Sequence, residues 1–257
     1  MSVLISNLNM IESIKLDIAS AIEAKGVSMS GVSFPDYPSA IASISGGGSG
    51  YTEAEITERN FDIVNLNNSA SYVGSNAFNG ISTLVTVNLP NVTSIGGSAF
   101  YNCSNITDVS LSNCTQITGS HVFEGCEKLN NIHIPLCSII GQYCFVNCKQ
   151  LSSISLPLCE NINNQAFRSC YALSQIDLPK CSLMGGIYTF ANCSNLSVIM
   201  IGKDVSTVVS LDNTTAFQNT PIASGTGTIY VPASLVSDYQ AAKNWSAFAS
   251  QIVSIPE

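Results

Sequence analysis

The residues with the most chemical potential in this chain are its ten cysteines. Cysteine thiolates hold zinc in structural sites, where two ligands usually stand close together in the sequence. The cysteines stand here at positions 103, 114, 126, 137, 144, 148, 159, 170, 181 and 193, so no C-x-x-C pair is present. This spacing predicts no metal centre, and its regularity indicates an internal repeat.

The repeat is marked by phenylalanines that recur at a nearly constant interval. They are Phe78, Phe100, Phe123, Phe145, Phe167 and Phe190. A period of about 22 residues predicts a solenoid, in which each repeat forms one coil and packs only on its neighbours. Each repeat also carries the pattern L-x-x-[VI]-x-[LI], often followed by proline, which predicts one short strand per coil. We therefore expect a mainly β solenoid with short connecting turns.

Nine of the cysteines occupy two fixed positions of this repeat. Five lie three residues after the phenylalanine and four lie fourteen after it, and only Cys144 falls outside these positions. Side chains that are in register on adjacent coils point in parallel, which is poor geometry for a disulfide. We interpret the cysteines as small buried hydrophobic residues with free thiols, typical of a protein folded in a reducing cytoplasm.

Histidines and carboxylates give no pattern typical of an enzyme. His121 and His133 lie at different positions of neighbouring repeats, and no nucleophile motif or H-E-x-x-H sequence is present. Asp108 and Asp177 belong to repeats that are three coils apart. Since each coil adds about 4.8 Å, the two residues are separated by more than about 14 Å. Paired carboxylates of glycosidases lie roughly 5 to 9.5 Å apart. We predict no enzyme activity and no cofactor.

The outward positions of the predicted strands are the candidate binding site. They vary in type from coil to coil, whereas the apolar positions keep theirs, and a rigid sheet would hold short polar groups ready for a glycan or a protein loop. The alternative interpretation is that these positions are merely solvated. The candidate binding residues are Asn88, Asp108, Asn131, His133, Ser155, Gln175 and Asp177.

The repeat resembles a known family. Ala99-Phe100-Tyr101-Asn102-Cys103 and Leu151-Ser152-Ser153-Ile154-Ser155-Leu156-Pro157 are similar to the BspA-type leucine-rich repeat, from about Asn76 to Lys203. The resemblance implies a right-handed, curved leucine-rich-repeat superhelix with a ladder of short parallel strands on one face. Members of that family are surface, secreted or phage-borne interaction proteins.

A different module precedes the repeats. Four isoleucines at spacings of 3, 4 and 4 predict an amphipathic helix from about Asn9 to Lys25, which Gly26 ends. We expect this face to attach the chain to a partner or to copies of itself, such as a homotrimer, although packing within the chain would satisfy it equally. The attachment residues are Ile11, Ile14, Ile18 and Ile22.

The N-terminal module also resembles phage proteins. The stretches Ile14-Lys15-Leu16-Asp17-Ile18 and Gly31-Val32-Ser33-Phe34 are similar to N-terminal segments of phage structural and tail-fibre proteins. In such proteins the first part docks onto the virion and the rest projects outward.

The predicted organisation has four parts. They are a helical attachment module (1–44), a Gly/Ser linker (45–52), the solenoid (53–230) and a helical C-terminal cap (231–257). The cap is predicted from Pro232, which can start a helix after a last strand Thr228–Val231, and from apolar positions up to Ile252. Trp245, the only tryptophan, is expected in the core of the cap.

Composition limits the partners. A net charge of -8, without a run of lysines or arginines, argues against nucleic acid and anionic membranes. No apolar run approaches the roughly 20 residues that cross a bilayer, and the start of the chain lacks the features of a secretory signal peptide. We therefore expect neither nucleic-acid binding nor membrane insertion, and synthesis without a signal peptide.

Three functions follow from these observations. The first is a phage virion protein, assembled in the host cytoplasm, that binds virion proteins through residues 1–44 and presents the solenoid to a host-surface glycan or protein. The second is a bacterial cell-surface or secreted adhesin, which the missing signal and free thiols disfavour. The third is an intracellular scaffold that binds another protein.

Overall fold

The computed structural model describes residues 63–64 and 71–256. They belong to the second of the two compact units into which the chain divides, Tyr51–Glu257. The predicted N-terminal helix, the linker and the four attachment isoleucines lie outside the described residues. The four-part division of the chain and the right-handed superhelix stay predictions.

The described residues form short parallel strands connected by turns. The strands are β1 (Ile63–Val64), β2 (Tyr72–Val73), β3 (Thr86–Asn88), β4 (Ser94–Ile95), β5 (Asp108–Ser110), β6 (Gln116–Ile117), β7 (Asn131–His133), β8 (Ile139–Ile140), β9 (Asn161–Ile162), β10 (Gln175–Leu178), β11 (Leu183–Met184), β12 (Val198–Ile201), β13 (Ser210–Leu211), β14 (Thr228–Val231) and β15 (Ile252–Ser254). They build three sheets, with the orders β1-β3-β5-β7, β10-β12-β14-β15 and β13-β11-β9-β8-β6-β4-β2. The parallel-strand repeat fold predicted from the sequence is confirmed.

Strand pairing joins residues that lie one sequence repeat apart. Thr86 pairs with Asp108, and Asp108 pairs with Asn131, so each repeat unit makes one coil. The prediction of a single strand per coil was incomplete, because the coils also contribute a second, two-residue strand to the seven-stranded sheet. A strand of two residues, such as Ser94–Ile95, is too short to produce an alternating pattern in the sequence.

The repeated phenylalanines form the centre of the core. From Phe78 to Phe217, neighbouring rings lie 5.1 to 5.9 Å apart between centroids, with interplanar angles of 12° or less. All of these rings except Phe78, at the end of the stack, are fully buried. The apolar columns of successive coils thus merge into one continuous core, as a solenoid requires.

The coils of Phe78 to Phe190 each turn through two left-handed residues, two before and two after the phenylalanine, and the coil of Phe217 has only the second. The second position holds Gly80, Asn102, Gly125, Asn147, Ser169, Asn192 and Asn219. Glycine and asparagine adopt positive φ at low cost, which explains why they dominate this column. At Gly125 the coils also approach closely, since an added Cβ would lie 2.1 Å from Oδ1 of Asn102.

The C-terminal segment covers the last coil with short helices and one more strand. The helix α1 (Val236–Ala241) lies between two 3-10 helices, Ala233–Leu235 and Trp245–Gln251, and a further 3-10 helix spans Thr214–Phe217. Trp245 is buried in this cap, as predicted. Among the described residues, no helix is long and apolar enough to cross a bilayer.

Two details of the predicted cap were wrong. Ile252 lies in a strand rather than on a helix, and Thr228–Val231 is not the last strand, because Ile252 pairs with Ile229 and Val253 pairs with Tyr230. The β-branched residues Ile252 and Val253 favour a strand, and they add one more apolar row to the sheet.

Candidate binding groove on the strand face

The outward face of the first sheet contains an open depression of about 590 Å³, which we call the groove. Strands β3, β5 and β7 and the segment 153–155 of the next coil line it. The lining residues are Thr86, Val87, Asn88, Asp108, Val109, Ser110, Asn130, Asn131, Ile132, His133, Ser153, Ile154 and Ser155. Short polar side chains therefore form the accessible walls, and four β-branched residues form the floor.

The structure brings together five of the seven candidate binding residues. Those in the groove are Asn88, Asp108, Asn131, His133 and Ser155. Gln175 and Asp177 lie on β10, outside the groove, although they continue the same rows of side chains. Whether these seven residues bind a ligand stays a prediction.

Asp108 is the fixed negative charge of the groove. Oγ1 of Thr107 donates to its Oδ2 at 2.6 Å, and Nδ2 of Asn131 donates to its Oδ1 at 2.8 Å. These two hydrogen bonds, with that from Thr107 the larger effect, hold the pKa of the Asp108 carboxyl below its ordinary value. A carboxylate held in this way is an oriented acceptor for the hydroxyl or amide groups of a ligand.

His133 and Ser155 present free polar groups in the same groove, one and two coils beyond Asp108. Both side chains are exposed, and neither makes a side-chain hydrogen bond to another of the described residues. His133 pairs with Ser110 on β5, so the side chains of these two residues project in one row on the outward face of the sheet. An imidazole can donate and accept, and a hydroxyl can do both, so the groove offers mixed hydrogen-bonding groups.

Asp177 has a different environment from Asp108. Partial burial raises the pKa of its carboxyl above the ordinary value of 3.8, an effect that nearby Lys203 opposes and nearby Asp204 reinforces. The outward face thus holds two carboxylates, in different rows, whose pKa values are shifted in opposite directions.

Sequence reasoning overlooked Asn130 among the groove residues. It lies at the entry to β7, just before the outward positions, and its side chain lines the groove. The alternation of inward and outward residues begins only inside the strand, so no periodic signal marks this position.

The cysteine thiols are buried and offer no metal site. All ten are free and buried, and five donate to the carbonyl oxygen of a phenylalanine on the preceding coil; Sγ of Cys148 to the oxygen of Phe123 at 3.2 Å is an example. Burial raises the pKa of Cys103 and Cys137 to about 12. Within residues 63–64 and 71–256, no group of three histidine, cysteine or acidic side chains is placed to hold a metal ion.

Outside the groove, one turn carries a stack of polar rings. The His121 and Tyr143 rings are parallel with centroids 4.6 Å apart, and Nδ1 of His121 lies 2.5 Å from Oε2 of Glu124. Both aromatic residues have positive φ. The ring contact compensates part of the strain that a bulky residue meets in this conformation.

Solved structures of similar fold come from several bacteria. A leucine-rich repeat protein from Bacteroides ovatus is 21% identical, with a TM-score of 0.55, over 67% of this chain and 48% of that chain. A T. pallidum Leucine Rich Repeat protein is 29% identical, with a TM-score of 0.43, over 45% of this chain and 58% of that chain. A leucine-rich repeat protein from Eubacterium ventriosum is 23% identical, with a TM-score of 0.45, over 63% and 47%.

The chain spans about half the length of these solved relatives. No curated protein sequence matches it. The BspA type Leucine rich repeat region matches residues 57–157 and 136–235, in six copies, and therefore most of the chain. These are the same coils that form the phenylalanine stack and the parallel strands, and the chain belongs to the BspA-type leucine-rich repeat family.

Proposed function

We propose that the chain is a structural protein of a phage virion that docks through residues 1–44 and presents the groove to the surface of the host cell. Two observations support it. The N-terminal segment is similar to phage structural and tail-fibre proteins, and the groove displays oriented polar groups on a rigid sheet. The observation that carries the binding role is the Asp108 carboxylate, held by Thr107 and Asn131 in the groove that the free side chains of His133 and Ser155 also line.

Rigidity favours binding over a merely solvated surface. Three of the four floor residues, Val87, Val109 and Ile132, belong to strands paired in register, so this part of the groove loses little conformational entropy when a ligand binds. Leucine-rich repeat proteins are typically scaffolds without enzyme activity, which agrees with a binding role for the groove.

Attachment is the task of the N-terminal module in this proposal. Its isoleucine face, Ile11, Ile14, Ile18 and Ile22, contacts other virion proteins and can associate three copies of the chain. In this proposal the Gly/Ser segment 45–52 joins this module to the solenoid.

Fractionation of infected and uninfected cultures tests this function. An antibody against the solenoid should detect the chain in density-gradient-purified particles at a constant ratio to the major virion protein. Deletion of residues 1–44 should remove the chain from the particles while the solenoid still folds. Recovery from the outer surface of uninfected cells would instead identify an adhesin, and recovery only from the cytosol would identify an intracellular scaffold; either outcome contradicts the proposal.

A further inference from the structure

The strand ladder under the groove is interrupted at one coil. Strand β7 pairs with β5, but it does not pair with the next coil, where the segment 151–156 makes only an isolated bridge from Ser155 to Asp177. On the opposite side of the solenoid the same two coils remain paired, since Ile140 is in register with Ile162. The interruption therefore affects the groove side alone.

Specific backbone hydrogen bonds are missing at this point. In the unbroken ladder, the N–H of Leu111 donates to the carbonyl oxygen of His133 at 2.9 Å. The equivalent groups one coil further are the N–H of Ile134 and the carbonyl of Ser155, and within the described residues these two do not bond to each other. A buried or half-buried peptide group without a hydrogen-bond partner costs free energy. A ligand that bonds to such a group removes this cost.

The entry to the strand shows the same defect. The N–H of Asn131 donates to the carbonyl oxygen of Thr107 at 3.1 Å, whereas no such bond joins Ser153 to Asn130 in the described coils. Asn130 and Ser153 line the groove, whereas Ile134 directly follows the lining residue His133 and is buried. The carbonyl of Asn130 and the N–H of Ser153 thus lie in the groove without a ladder partner among the described residues, next to its free side chains.

The core is slightly opened at the same place. Ile132 and Ile154 are 9% and 7% exposed, whereas Val109 and Ile176, the equivalent residues on the flanking coils, are each 3% exposed. Two independent features, the missing hydrogen bonds and the exposure of the floor, therefore mark the same gap.

The strand pairing behind the interruption limits the kind of ligand that can bind there. Insertion of a peptide strand would separate the flanking strands by two strand spacings, about 9.6 Å. The pairing of Ile139 with Asn161 and of Ile140 with Ile162 holds the coils together behind the gap and opposes such a separation. A ligand hydroxyl at the edge of the ladder requires no such separation, and it can accept from an N–H and donate to a carbonyl at the same time.

We propose that the interrupted ladder is a saccharide-binding site, in which sugar hydroxyls bridge the backbone carbonyl of Asn130 and the N–H of Ser153 while Asp108 and His133 bond neighbouring hydroxyls. The inference rests on the proposed function, because the site is part of the same groove, and it names the class of ligand. Hydroxyl-rich molecules match the mixture of donors and acceptors better than a charged partner, since Asp108 is the one charged side chain among the lining residues.

Two serines of this segment provide the test variant. Ser153 and Ser155 are the outward positions on either side of Ile154, and valine favours a strand more than serine does. The variant Ser153→Val/Ser155→Val should restore the ladder and close the site. Thr228→Val is the matched control, because Thr228 occupies the same column on β14, in register with Val198 and outside the groove.

Amide hydrogen exchange of the full chain tests the interruption itself. We expect the Ile134 amide to exchange roughly tenfold faster than the Leu111 amide, because only the latter is bonded across the ladder. In Ser153→Val/Ser155→Val the two rates should become similar, and Thr228→Val should leave them unchanged. Equal rates in the natural chain would show that the ladder is continuous in solution and would overturn the inference.

Ligand binding is measured on an array of neutral and sialylated oligosaccharides, followed by exchange in the presence of the tightest oligosaccharide. We expect array binding that slows exchange of the Ser153 amide, and at least a tenfold loss of affinity in Asp108→Ala and in Ser153→Val/Ser155→Val, but not in Thr228→Val. An array without signal, or binding that leaves the Ser153 amide unchanged, refutes the saccharide site. The particle fractionation depends on residues 1–44, so its result is independent of this one.

Discussion

The indole Nε1 of Trp245 donates a 2.7 Å hydrogen bond to the carbonyl oxygen of Val209, a residue 36 positions earlier. The N–H of Val209 in turn donates to the hydroxyl of Tyr239 at 3.0 Å. Both backbone groups of Val209, immediately before β13, are therefore satisfied by side chains of the cap. This arrangement protects the end strand of the seven-stranded sheet, which would otherwise be open to association with other strands.

Replacement of Trp245 by phenylalanine should destabilise the chain. It keeps an aromatic ring in the cap but leaves the buried Val209 carbonyl without its donor, so we expect a loss of about 1 to 3 kcal/mol in the free energy of unfolding. Denaturant unfolding followed by circular dichroism measures it, with the exposed Ser246→Ala as the control. An unchanged midpoint would show that the cap does not stabilise the solenoid.

Truncation of a phenylalanine should cost most in the middle of the stack. Phe145 is fully buried between Phe123 and Phe167, and Phe145→Ala should remove about 3 to 5 kcal/mol of stability through lost burial and a cavity. Phe78→Ala is the comparison, because Phe78 is only half-buried at the end of the stack. Similar losses for the two variants would contradict a single continuous core.

The coil and its core were predictable because a solenoid repeats its physical constraints. The same burial recurs in every repeat, so the phenylalanine and aliphatic columns stand out without any alignment. The two-residue strands and the break after β7 were not predictable, because no column changes its apolar character there. Likewise, the strand at Ile252 depends on pairing with Ile229, a contact that local sequence does not encode.

The cysteines should be unreactive in the folded chain. Thiolate is the reactive form, and burial both excludes reagents and raises the thiol pKa, as at Cys181, where it reaches about 12. Under native conditions at mildly alkaline pH, we expect mass spectrometry to detect no iodoacetamide adduct in residues 103–193, and ten adducts after unfolding. Rapid native labelling, or disulfide-linked peptides in freshly purified protein, would contradict buried free thiols.

Neutralising Asp108 and neutralising Asp177 should change the free energy of unfolding in opposite directions. The pKa of Asp108 is lowered on folding, so its ionised form stabilises the fold above its unfolded pKa, and this stabilisation disappears as the pH falls through the folded value. The pKa of Asp177 is raised, so stability associated with its protonated form is lost as the pH rises through the folded value.

At neutral pH, Asp108→Asn should therefore lower the stability, whereas Asp177→Asn should raise it, each by less than about 1 kcal/mol because both side chains are largely solvated. Denaturant unfolding at pH 7 and again below pH 3 measures both effects, which should diminish at the acidic pH. Equal signs for the two variants at pH 7 would disprove the assigned environments.

The candidate site was predictable as a face but not as a cavity. The alternation of inward and outward positions identified Asn88, Asp108, Asn131, His133 and Ser155, because every second side chain of a strand points away from the core. The limit of the groove before β10 was not visible in the sequence, since Gln175 and Asp177 continue the same alternation. Strand pairing, rather than residue type, decides where the depression ends.

Adsorption of gradient-purified particles to host cells tests the central claim most directly, when the particles carry the Asp108→Ala/His133→Ala chain. The account predicts that this chain is incorporated at the normal ratio and that adsorption falls at least tenfold, a loss of about 1.4 kcal/mol in binding free energy, while particles with Thr228→Val adsorb normally. Unchanged adsorption by particles that contain the double variant would contradict a role for the groove in host recognition.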